Sequence, residues 1–169
     1  MRRILIAGFI ALTTLIPISI AQQPPFQDVL ADKMTGDWVM KGTIAGQETT
    51  HDIHAEWVLK HQYVRIHEVS REKNDKGQPQ YEANVYIAWN AKAKQYACVW
   101  LDDFGGALPQ SIGYATPDGN RMAFVFKGDD TFHTTFIYDE KTNTWEWRMD
   151  NEQGGKLLPF LRARLTKKS

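Results

Sequence analysis

The chain has a single cysteine, no extended block of like charge, and no helical periodicity of any length beyond its first residues. A lone thiol cannot close an intrachain disulfide, so the fold must rest on its core. Cys98 lies between Tyr96 and Trp100 in an alternating segment without a neighbouring Lys, Arg or His. A buried, inert thiol is therefore expected there. Lys plus Arg equals Asp plus Glu at 20 each, and beyond Arg2-Arg3 the only basic run is Lys167-Lys168, which argues against a nucleic-acid partner. No His-x-His pair is present to offer two imidazoles to one ion. His51 and His54, three apart on a strand, point to opposite faces. No motif asks for a cofactor, and no His is marked out as a haem ligand.

The one long apolar run is at the N-terminus. Arg2 and Arg3 precede a stretch from Ile4 to Ile16 that is apolar apart from Gly8, Thr13 and Thr14, and Pro17 ends it. Ser19-Ile20-Ala21 places small residues at a cleavage site before Gln22, so residues 1–21 read as a secretory signal peptide. As a retained anchor the run is short of the ~20 residues that a spanning helix needs. The expected product is an exported protein, periplasmic or secreted, with no transmembrane anchor after cleavage. Removing 21 residues from 169 leaves 148, enough for one self-sufficient core. The expected organisation is a leader and short helix over 22–35, in which Phe26, Val29, Leu30, Lys33 and Met34 carry the helical spacing, followed by one domain over 36–169.

From Gly36 onward the pattern has period two. Segments near 38–45, 51–59, 63–71, 81–89, 95–101, 110–115, 121–127, 131–138, 144–150 and 158–166 alternate apolar with polar residues and are separated by turn chemistry such as Pro117-Asp118-Gly119-Asn120. Gly46-Gln47 is expected to start the first turn, and Pro159 to mark the beginning of the last strand. On the second segment Ile53, Ala55, Trp57 and Leu59 share the core face, opposite Asp52, His54, Glu56 and Lys60. An all-β, antiparallel up-and-down meander of about ten strands follows, and a sheet of that length removes its edges by closing into a barrel.

Gly36-Asp37-Trp38, opening the first strand after a short helix, resembles the Gly-x-Trp signature of lipocalins and related calycin-type barrels. In those proteins the Trp plugs the closed end, often under an Arg from the last strand, a place that Arg162 or Arg164 is suited to take here. More of the chain, about 30–165, resembles an exported bacterial family known only as the domain of unknown function numbered 1579. That resemblance rests on Gly36-x-Trp38, on Ala55-Glu56-Trp57-Val58-Leu59 leading to Tyr63-Val64-Arg65, on Tyr96 to Asp102 with Trp100, and on Pro117-Asp118-Gly119. The chain departs from the family in having Lys60-His61-Gln62 where a glycine pair precedes Tyr63. The resemblance implies a lipocalin-like barrel and no particular activity.

Three functions fit such a barrel. In the first, Trp38, Met40, Trp57, Trp100, Phe124, Phe126, Phe132, Phe136, Trp145 and Trp147 line a cavity for a small hydrophobic or amphipathic ligand. Polar residues on the inward face would favour this over plain core, because buried polar groups must be paired or await a partner. Tyr63, Arg65 and His67 share one face of the third segment and, if inward, would grip an anion; the alternative is a core built from Val64 and Ile66. In the second, the interior is merely packed and the domain serves protein interaction or envelope structure. In the third, an enzyme, Asp102-Asp103, before Gly105-Gly106 at the barrel mouth, act as an acid/base pair, or the Arg65/His67 face carries the chemistry.

Overall fold

The computed structural model describes residues 25–105, 108–128 and 130–168. The signal peptide and its cleavage site, expected over residues 1–21, lie outside the described residues, as do Gly106 and Asp129. Ten antiparallel strands form a closed meander: β1 Gly36–Ile44, β2 Gln47–Val58, β3 Tyr63–Ser70, β4 Glu82–Asn90, β5 Gln95–Asp102, β6 Ile112–Ala115, β7 Arg121–Phe126, β8 Thr131–Asp139, β9 Thr144–Gln153 and β10 Lys156–Lys167. A six-residue helix, α1 (Val29–Met34), precedes them. Each strand pairs with its sequence neighbours, and β1 closes on β10 through a register that sets Trp38 opposite Lys167 and Ile44 opposite Leu161.

Several boundaries depart from the alternation pattern, each for a local reason. β2 begins at Gln47, because Ala45 and Gly46, at φ 48° and 81°, make a two-residue turn of the left-handed kind that matches strand twist. β10 begins at Lys156 and carries Pro159 inside it, tolerated because the register shifts there in a bulge that needs no ladder hydrogen from the proline. Leu59 is exposed rather than core, since β2 stops at Val58 and the chain turns through three left-handed residues, Leu59, Lys60 and His61. The backbone thus takes a glycine-like shape there without glycine. The cost of about 1–2 kcal/mol per residue is offset by His61 stacking on Trp57 at 3.8 Å and its carbonyl accepting from the Phe26 N–H at 3.0 Å.

Up-and-down connectivity sorts the turns between two ends. The β2–β3, β4–β5, β6–β7 and β8–β9 turns share one end with α1, and this end is closed. Asp28 caps α1 by accepting from the Ala31 N–H at 2.8 Å and also accepts from the Tyr96 hydroxyl at 2.5 Å. Three indoles then pin the helix: Trp38 Nε1 donates to Met34 O at 2.7 Å, Trp57 Nε1 to Asp32 Oδ1 at 2.8 Å, and Trp145 Nε1 to Lys33 O at 3.3 Å. So short a helix is not stable alone and is held by this docking. The cation over Trp38 is Lys167, with Nζ 4.2 Å from the ring centroid, not Arg162 or Arg164. On β10 the inward residues are Leu161, Ala163 and Leu165, so even-numbered Arg162 and Arg164 stand outside, against Asp150 and Thr144.

At the β1–β10 seam Gly42 sits opposite Ala163, where an added Cβ would fall 2.1 Å from Arg162 O and 2.5 Å from Ala163 Cα. Both obstacles are backbone and cannot rotate away. Gly42→Ala is expected to cost toward the upper end of the ~1–3 kcal/mol typical of overpacking, measured as a lower urea midpoint. A change within about 0.5 kcal/mol would mean that the seam can slide.

Candidate functional site

The other end of the barrel carries the β1–β2, β3–β4, β5–β6, β7–β8 and β9–β10 connections, and beneath them a cavity of about 590 Å³ opens outward. That volume suits a drug-sized ligand. The inward face of each strand is apolar near α1 and turns polar as it nears this mouth. On β2 the inward series Ala55, Ile53 reaches His51; on β3, Val64, Ile66 reaches Glu68 and Ser70; on β5, Cys98 and Trp100 reach Asp102. Tyr81, two residues before Ala83 of β4, joins them at the rim.

His51 and Glu68 are both buried, at 2% and 1% exposure, with Nδ1 and Oε1 2.5 Å apart. The network fixes the imidazole. Thr49 has one hydroxyl proton and donates it to Glu72 Oε2 at 3.0 Å, so its oxygen accepts from His51 Nε2 at 2.8 Å and that nitrogen bears hydrogen. The pair shares one further proton between Nδ1 and Oε1, and burial pushes the Glu68 carboxyl up, partly countered by the bond from His51. Both ring nitrogens are thereby engaged, which leaves His51 none with which to take a proton from a bound molecule. This disfavours it as a general base.

A second polar chain runs along the rim. Trp100 Nε1 donates to the Tyr81 hydroxyl at 3.0 Å, and that hydroxyl lies 3.5 Å from Asp102 Oδ2. Burial pushes the Tyr81 phenol up, and the Glu68 and Asp102 carboxylates push it further. Asp102 is itself raised by burial and by Asp103 beside it, against a bond from the Phe104 N–H. Glu72 is held low by its bonds from the Thr50 N–H and the Thr49 hydroxyl. Three buried polar atoms on cavity-lining residues have no hydrogen-bond partner among the described residues: Glu68 Oε2, Thr134 Oγ1 and Trp147 Nε1.

Of the residues singled out from sequence, Trp100, Asp102, Phe126, Phe132 and Trp147 line the cavity, the Trp100 and Trp147 ring centroids being 5.7 Å apart. Phe124 and Phe136 are buried in the packed middle of the barrel, and Trp38, Trp57 and Trp145 belong to the closed end. Tyr63, Arg65 and His67 face outward, because Val64, Ile66 and Glu68 take the inward parity of β3. There Arg65 pairs with Glu56 at 2.5 Å and His67 with Glu82 at 2.8 Å, so the imagined anion grip is an exterior stripe of ion pairs. Cys98 is fully buried, and burial raises its thiol pKa.

His51, Glu68, Ser70, Tyr81 and Thr134 escaped notice as site residues, although the signal was present. Extending the inward parity of Ile53, Ile66 and Ala83 by two to four residues toward the mouth reaches the first four of them. No protein-family model matches the chain, and no curated protein matches it.

Proposed function

We propose that this protein is an exported, lipocalin-like binding protein that holds a small amphipathic ligand in the mouth half of its barrel, as the Gly36-x-Trp38 resemblance also suggests. The observation that carries this reading is the set of unpartnered buried atoms, Glu68 Oε2, Thr134 Oγ1 and Trp147 Nε1, on residues that line one aromatic cavity. A packed structural core has no use for them, since each costs roughly 1–3 kcal/mol if left unsatisfied. A ligand with an apolar body and a polar head would bury the rings and supply the missing partners.

The test is fluorescence titration with Nile red, a neutral dye that brightens in apolar surroundings, together with native mass spectrometry of the same sample. One dye per barrel is expected, with quenching of the tryptophans by energy transfer. Met149 lines the cavity, and Met149→Trp should narrow it and weaken dye binding while the Tm holds. Absence of dye binding by the native protein would sink the reading. It would promote the second one, a protein-interaction domain, which is favoured by the exposed Leu157 and Leu158 (54% and 43%) at the start of β10.

A further inference from the structure

We infer that the ligand's polar head is cationic: the cavity takes an amphipathic amine, its ammonium held at the corner of Glu68, Tyr81 and Asp102 and its apolar body lying against Phe126, Phe132 and Trp147. This rests on the ligand-binding reading above and adds the sign of the head group, which is opposite to the anion suggested by Arg65 and His67 in the sequence.

The charges of the lining point one way. Among the described residues around the cavity are Glu48, Glu68, Glu72 and Asp102, and neither Lys nor Arg. A carboxylate or phosphate head would enter a site with no fixed cation to meet it. His51 cannot serve, because Glu68 and Thr49 occupy both of its nitrogens. Asp102 opposes ionisation of Glu68, and both carboxyls oppose that of Tyr81, so the field at this corner is negative and favours a positive charge.

Hydrogen-bond capacity agrees with the charge. Glu68 keeps one buried oxygen, Oε2, with no partner among the described residues, and the contact of Asp102 Oδ2 with the Tyr81 hydroxyl is long, at 3.5 Å. An ammonium brings three donors and no acceptor, which suits two such oxygens. Aromatic rings complete the corner. Tyr81 and Phe104 lie 5.7 Å apart, centroid to centroid, and Trp100 is tied to Tyr81 through its indole N–H. Ring faces beside carboxylates form the setting in which organic cations gain cation–π attraction.

The experiment uses three molecules with one twelve-carbon tail: dodecylamine, dodecanol and dodecanoate, each below its critical micelle concentration at neutral pH, in competition with Nile red on the native protein. Dodecylamine should displace the dye at least tenfold more effectively than either of the others. Asp102→Asn, a change at a half-buried rim position, should remove about tenfold of the amine's affinity and leave dodecanol unchanged. Glu68→Gln should act in the same direction, as a second variant with an unrelated folding cost. Equal or better displacement by dodecanol or dodecanoate, or amine affinity unaltered in both variants, overturns the cationic head while the cavity reading stands. Failure of Nile red itself to bind brings down both.

Discussion

Trp38→Ala should cost about 3–5 kcal/mol, lowering the Tm by roughly 10 °C or more in a domain of this size. The indole is wholly buried at the closed end, donates to the Met34 carbonyl, and lies under Lys167 from the closing strand. It touches at once the helix that plugs the barrel and the seam that closes it. Truncation removes a large apolar volume, leaves the Met34 carbonyl without its indole donor, and strips Lys167 of its ring. Trp38→Phe should lose less, because much of the packing survives and only the indole hydrogen bond and part of the ring face are gone. Chemical denaturation of both variants measures the order directly. A loss below about 1 kcal/mol for Trp38→Ala would mean that α1 docks through Trp57 and Trp145 alone, and that the Gly-x-Trp plug has no structural weight in this chain.

Nile red affinity provides an internal control for that variant. Trp38 lies at the end opposite the cavity, so molecules still folded after its truncation should bind the dye as the native protein does. Coupling between the two ends would appear as a parallel loss of affinity and stability. The packed middle of the barrel, built around Phe124, Phe136 and Met122, stands between them.

The strands were legible because nearly every inward face is marked by large apolar residues at period two, with turn residues between. The meander, its closure and α1 all follow from that pattern. The site was harder to read, for a physical reason. A sequence marks the inside by hydrophobicity, and near the mouth the inward face becomes polar, so the marker fails where the chemistry begins. Tyr63-Arg65-His67 and Glu68-Ser70 are equally polar stretches of one strand, and only the burial of Val64 and Ile66 decides between them. Parity carried outward from an unambiguous core residue separates the two sets, as Ile53 to His51 on β2 illustrates. Lys167 over Trp38 was missed similarly: Arg162 and Arg164 are better cations for a ring face, but the parity set by Leu161 and Leu165 turns them away.

The His51–Glu68 pair gives the sharpest separation of stability from function. His51→Leu should cost about 3–5 kcal/mol, because the Glu68 carboxyl is left deep in the barrel with neither oxygen partnered. Glu68→Met should cost less, about 1–3 kcal/mol, since the imidazole that remains keeps its bond to Thr49 and leaves one ring nitrogen unsatisfied. The double variant, with two apolar side chains of similar bulk, should recover most of the loss and fall within about 1 kcal/mol of the native protein, since buried ion pairs are often replaceable without penalty. A double-mutant cycle in urea measures the coupling. If the pair served the fold alone, the double variant would match the native protein in every assay. On the binding reading it should keep Nile red, whose pocket remains apolar, and lose the preference for dodecylamine over dodecanol, whose head group would find a methionine where Glu68 Oε2 had been. A double variant that is stable and still discriminates the amine would move the cation site wholly onto Asp102, and one that stays 3 kcal/mol or more below native would make the pair a structural necessity.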